Sequence, residues 1–203
     1  MSKIKICGLR RSEDIAYANE LKPDYIGFIF FEKSKRAVSD AQAMRLRKQL
    51  DASIPAVGVF VDDDPKHILA LAHAKTIDLI QLHGNEDEDY ILALKKQTQL
   101  PILKAFVIQS QDDIEQAKIS SADYILLDSG QGSGKTFAWK LIKNIDRPYF
   151  LAGGLDASNI RKAIDSLHPY ALDLSSSVEI EGYKDYDLMK EVIQRTRRGD
   201  EHD

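Results

Sequence analysis

Eight short apolar runs recur along this 203-residue chain, and each is followed by a stretch with helical spacing. They are Lys3 to Cys7, Tyr25 to Phe30, Ala56 to Val61, Leu79 to Leu82, Ile102 to Phe106, Tyr124 to Asp128, Phe150 to Ala152 and Ala171 to Leu174. Runs such as YIGFIF and VGVFV are apolar almost throughout, as strands of a parallel sheet covered by helices on both faces must be. Between them, Ala43, Leu46 and Leu50 fall at i, i+3, i+7, and Leu188 with Val192 and Met189 with Ile193 repeat the stripe. Ser39 before Asp40, Asp64-Pro65, and Asp185 ahead of Tyr186 to Arg197 read as helix starts. The sixth helix, around Phe137 to Ile142, has the weakest pattern. Eight such units favour a closed (β/α)8 TIM barrel; an open doubly wound sheet satisfies the same periodicity.

A barrel of this kind typically takes about 250 residues and can be built from about 200, so its loops must be short. No Pro/Gly/Ser-rich linker divides the chain, which predicts one domain over residues 1–203, with the charged end 198–203 frayed. The net charge of −4 gives no reason to expect nucleic acid. No apolar run reaches the length of a membrane span or of a signal peptide core, so no membrane partner is expected. Cys7 is the sole cysteine, which excludes an intrachain disulfide and suits a reducing cytoplasm. A small molecule is the expected partner, with monomer and homodimer both open.

In a parallel barrel the C-terminal strand ends converge on one mouth, and two of them here carry groups able to move protons, Cys7 and Asp128. Alternation places Lys5 and Cys7 on one face, as it does Gln81 and His83, Leu126 and Asp128, and Asp173 and Ser175. Singly, a lone buried cysteine is as often inert core, and a strand-end aspartate is often a helix cap. Gly153-Gly154 after the seventh strand and Ser175-Ser176 after the eighth are small enough to let backbone N–H groups approach an anion, where barrels often hold phosphate. Gly130 to Thr136 tempts a nucleotide-loop reading, but only three residues separate Gly130 from Gly134 where that motif needs four. A mobile glycine-rich connector fits it better.

Taken in order, KICG (5–8), DYIGFIFFEKSKR (24–36), VGVF (57–60), QLHG (81–84), LLD (126–128), GSGKTFAW (132–139), AGGL (152–155), DLSSSVE (173–179) and Lys184-Asp185 resemble the phosphoribosylanthranilate isomerase family over essentially the whole chain. The resemblance implies a (β/α)8 barrel that converts N-(5-phosphoribosyl)anthranilate, by an Amadori rearrangement in tryptophan biosynthesis, to the carboxyphenylamino-deoxyribulose phosphate, with no cofactor and no metal. It assigns Asp128 as general acid, Cys7 as general base, Arg36 to the anthranilate carboxylate, Asp173 to the ribose hydroxyls or the acid, and His83 to the mouth.

A free cysteine titrates near ~8.5 and an aspartate near ~3.9, so the site must push the two towards each other. Lys5 is expected to favour the thiolate, and the apolar wall with the substrate phosphate to raise Asp128. Three departures stand out: Ala138 where the family has aspartate, a shortened loop from Asp128 to Gly132, and Ser177 where glycine is usual. The last matters if that position needs positive φ. The related histidine-pathway isomerase would carry aspartate on its first strand, and the indole-forming synthase a lysine-centred site on a longer chain. A phosphate-binding barrel without catalysis would have no need of both proton-transfer residues.

Overall fold

The computed structural model describes residues 1–129 and 137–197. The Gly130–Thr136 segment, with the shortened loop, and the 198–203 end lie outside the described residues. Eight parallel strands close into a barrel in the order β1 to β8. They are β1 (Lys3–Cys7), β2 (Tyr25–Ile29), β3 (Ala56–Phe60), β4 (Leu79–Leu82), β5 (Ile102–Val107), β6 (Tyr124–Asp128), β7 (Tyr149–Ala152) and β8 (Ala171–Leu174). The helices between them are α1 (Ser12–Leu21), α2 (Asp40–Gln49), α3 (Pro65–His73), α4 (Glu88–Lys95), α5 (Gln111–Ile119), α6 (Phe137–Leu141) and α7 (Ile160–Leu167), with α8 (Tyr186–Arg197) last. Closure rules out the open sheet, because β1 pairs with both β2 and β8.

The expected helix starts are built as their residues allow. Ser39 accepts from the Gln42 N–H, Asp64 from Lys66 with Pro65 in the first turn, and the Asp185 carboxylate from Leu188. Strand ends differ from expectation by a residue at most, and α6 is five residues long with Ala138 inside it. Ser177 sits in a 3-10 turn (Ser176–Val178) and does not take positive φ, so serine there needs no strained backbone.

Two apolar layers follow from strand alternation. Ile4, Ile6, Ile26, Phe28, Phe60 and Leu82 point outward and pack under the helices, while Val57, Leu79, Leu103, Leu126 and Phe150 fill the barrel interior. Each such side chain contributes about 1.5–3 kcal/mol of burial. At the N-terminal end of the barrel, Tyr25, Tyr124, Tyr170 and Phe150 pack ring against ring, with Lys3 above Tyr170. The polar interior positions therefore gather at the opposite end.

One element had no sequence signal. A hairpin of two two-residue strands, β9 (Glu179–Ile180) and β10 (Tyr183–Lys184), follows the 3-10 turn, reversing at Glu181-Gly182 with both residues at positive φ. Arg10 donates to the Gly182 carbonyl and Arg11 to that of Lys184, and both guanidinium groups lie over the Tyr183 ring. Strands this short show no alternation to read.

Candidate active site

Cys7 ends β1 and is 6% exposed. Its neighbour across the sheet is Gly27, and a Cβ there would lie 2.7 Å from the Cys7 sulfur, so the missing side chain is the space the thiol occupies. The Cys7 carbonyl accepts from Ser175 Oγ at 3.0 Å, which ties the end of β1 to the residue following β8.

Lys5, one interior position below, is fully buried and gives both carboxylate oxygens of Asp173 a hydrogen bond of 2.9 Å. The β1–β8 register sets Lys5 directly beside Asp173. Asp173, expected to serve the ribose hydroxyls or the acid, is thus paired with Lys5, and the Lys5 charge is shared between that carboxylate and the thiol. Burial pushes the Cys7 thiol up, and the pull of Lys5 downward does not overcome it. Lys5 itself remains a cation, because Asp173 and Cys7 outweigh its own burial.

Asp128 ends β6 with its side chain 20% exposed. His83 Nε2 lies 3.8 Å from Asp128 Oδ2, and Gln81 Nε2 lies 3.0 Å from His83 Nδ1. With the amide nitrogen of Gln81 donating to Nδ1, the ring proton is assigned to the nitrogen facing Asp128. Burial pushes the His83 pKa down against the upward pull of Asp128 and Asp173, which keeps the ring neutral at pH 7. Cys7 and His83 both feel the charges of Lys5 and Asp173, which places the thiol and the imidazole around one buried ion pair, with Asp128 beside the imidazole.

Gly153 (φ +90°) and Gly154 (φ +62°) turn the chain after β7. A Cβ at 153 would come within 2.6 Å of Asp128 Oδ1 and 2.4 Å of Ser129 Oγ, so this turn packs directly on the proposed acid. Ser175 and Ser176 follow β8, the strand paired with β7. The Ser175 hydroxyl proton is already committed to Cys7, which leaves backbone rather than side chain as its contribution to an anion seat. Arg36, expected to meet the anthranilate carboxylate, gives Nε and Nη2 to Glu179 at 2.7 and 2.6 Å.

Sequence reasoning passed over three supports. Gln81 orients His83, and its buried Oε1 has no hydrogen-bond partner among the described residues. Glu86 and Lys104 form a buried ion pair at 2.7 Å, in which Glu86 accepts from the Gly84 and Asp62 N–H groups and so braces the loop carrying His83. Glu179 and Lys184 pair at 2.6 Å behind Arg36. Gln81 was visible only as sharing a strand face with His83; for the two ion pairs the signal was charge in or beside buried segments, which points to pairing without naming a partner.

A sequence model of the family described as N-(5'phosphoribosyl)anthranilate (PRA) isomerase matches residues 4–195. An N-(5'-phosphoribosyl)anthranilate isomerase of Thermoanaerobacter pseudethanolicus is 46% identical over 204 residues, which span 97% of this chain and 98% of the relative. The crystal structure of phosphoribosyl anthranilate isomerase from Thermotoga maritima superimposes with a TM-score of 0.90 at 36% identity, covering 97% of this chain and 99% of that one. Another solved isomerase of this name, in complex with reduced 1-(o-carboxyphenylamino)-1-deoxyribulose 5-phosphate, gives 0.86 at 33% identity over 97% and 99%. On the barrel, the strand-end groups and these likenesses together, the chain belongs to the N-(5'-phosphoribosyl)anthranilate isomerase family.

Proposed function

We propose that this chain carries out its family's isomerisation by moving one proton through Asp128 and one through Cys7. The substrate is a phosphorylated small molecule, N-(5'-phosphoribosyl)anthranilate. Asp128 protonates the ribose ring oxygen as the C1–O bond opens, leaving an iminium at C1. That cation acidifies C2, and the Cys7 thiolate removes the C2 proton to give an enolamine, which tautomerises to the ketose. Each step moves protons or electron pairs within the substrate, so the scheme calls for neither redox cofactor nor metal. The neutral His83 ring, its N–H towards Asp128, supports the carboxylate left after proton donation.

The Gly153-Gly154 turn and the Ser175-Ser176 backbone seat the phosphate in this reading, and Arg36 meets the anthranilate carboxylate. Residues 1–203 serve as one catalytic domain, and the lone reduced thiol suits the cytoplasm. Among the described residues, no helix is long and apolar enough to cross a membrane.

The observation supporting this reading is the buried Lys5–Asp173 pair whose charges act on both Cys7 and His83, with Asp128 3.8 Å from the His83 ring. The test is loss of substrate fluorescence on mixing freshly made phosphoribosylanthranilate with the parent, Cys7→Ala and Asp128→Asn. Removing either group is expected to cost about 10²–10⁴-fold in kcat, the usual reach of a positioned acid or base. Parent-like turnover by either variant refutes the assignment.

A further inference from the structure

The Arg36 guanidinium has five N–H groups in one plane, and Glu179 takes one from Nε and one from Nη2. The remaining three include both on Nη1, so the end formed by Nη1 and Nη2 can still receive a second carboxylate in bidentate fashion. Glu179 also accepts from Lys184 Nζ at 2.6 Å, and Lys184 gives a further bond to the Ser175 carbonyl at 2.8 Å. Glu179 and Lys184 side chains are 6% and 1% exposed, while that of Arg36 is 27% exposed. The stem of Arg36 crosses Gly8, where a Cβ would meet its Cδ at 2.7 Å, so the arginine is laid beside Cys7 as well. Arg36, Glu179, Arg10 and Lys35 line one cavity of about 430 Å³.

We propose that Glu179, backed by Lys184, is a positioning residue for the isomerisation: it grips the Nε–Nη2 edge of Arg36 and so presents the other end to the carboxylate of the substrate. This rests on the functional reading above and adds to it the group that sets Arg36. Stability alone is a poor reason for such a cluster, since a buried ion triad is often replaced by apolar side chains without loss. The charge arithmetic favours a role in binding. Within the triad, two cations and one carboxylate leave a net charge of +1, and Arg10 with Lys35 on the same cavity offsets the further carboxylate of Glu181, so the site stays positive towards an incoming carboxylate. Were Lys184 absent, Glu179 would cancel Arg36.

Neutralising Glu179 tests orientation cleanly. Burial already pushes the Lys184 pKa down, with Glu179 the main opposing influence, so Glu179→Gln loosens the lysine's hold on its proton and limits the positive charge the change adds. The two-point ionic hold on Arg36 is lost, while the Lys184 bond to the Ser175 carbonyl remains. The kinetics of parent, Glu179→Gln, Arg36→Met and the double variant are measured with phosphoribosylanthranilate and with phosphoribosylaniline, which lacks the carboxylate. Freeing a side chain that binding must then immobilise is expected to raise KM for the carboxylated substrate about tenfold. Values of kcat and the KM for the aniline substrate should stay near those of the parent, and Glu179→Gln should add nothing once Arg36 is Met. Equal damage with both substrates, or full damage in the Arg36→Met background, assigns Glu179 a merely structural role and overturns the proposal. A parent that turns over neither substrate defeats the functional reading and this inference with it; an active parent with a silent Glu179→Gln defeats this inference alone.

Discussion

Gly27→Ala should displace the thiol and leave the barrel standing. The new Cβ would lie 2.7 Å from Cys7 Sγ, 3.2 Å from its Cα and 3.3 Å from its Cβ. Relaxed heavy-atom contacts sit near 3.5–4.0 Å, so the sulfur must retreat by roughly 1 Å. Gly27 is not among the positive-φ glycines, so alanine adds no backbone strain. Overpacking costs about 1–3 kcal/mol, and the stiffer unfolded chain returns about 0.4–1 kcal/mol. The net should lower Tm by a few degrees in a chain of this size, roughly 2–4 °C per kcal/mol. Activity should suffer far more, because an ångström of misplacement costs about 10²-fold in rate. Gly58→Ala is the control: its Cβ would strike Phe60 and Ile77 in the outer layer at 2.8 and 2.9 Å, so it should lower Tm without touching kcat. The assay is steady-state turnover beside a thermal melt for both variants. Parent-like kcat in Gly27→Ala, or equal kcat losses in the two, would refute the claim that the reaction depends on where this sulfur sits.

Lys5→Met leaves the Asp173 carboxylate nearly buried without its cation and should cost about 3–5 kcal/mol by urea denaturation. The same change removes a charge that favours the thiolate, so the pH midpoint of Cys7 alkylation should move higher still than in the parent. Because burial raises that thiol and the base must be deprotonated, parent kcat/KM should climb with pH from neutrality towards the thiol value; a flat profile there speaks against Cys7 as base. For His67, burial alone lowers the pKa, but hydrogen bonds to Asp40 and Asp63 win and raise it. The stabilisation is therefore complete below the unfolded value near ~6.5 and fades as pH rises through the folded one, so the urea-midpoint gap between parent and His67→Gln should shrink across that window. Gly153→Ala forces positive φ on alanine and drives its Cβ into Asp128 and Ser129, so kcat should fall by about 10²-fold, read by the same turnover assay.

The barrel was legible because each strand is buried on both faces and so spells a continuous apolar run, as in Tyr25 to Ile29, while caps such as Ser39 and Asp64 mark the helices locally. The ends bearing Cys7 and Asp128 were legible for the same reason: alternation says which side faces in. Pairing was not. Lys5 meets Asp173 only because closure sets β1 against β8 in one register, and no local pattern encodes a register between segments 168 residues apart. The hold of Glu179 on Arg36 depends likewise on a hairpin too short to show alternation and on arginines 10 and 11 that pin it from the far end of the chain.

The seam between β1 and β8 also has a bearing on synthesis. While the chain is still leaving the ribosome, its opening strand has no Asp173 to neutralise Lys5 and no Ser175 to hold the Cys7 carbonyl. A polypeptide that stops short of the last strand therefore lacks both partners of its opening strand, and they arrive together with the closing segment.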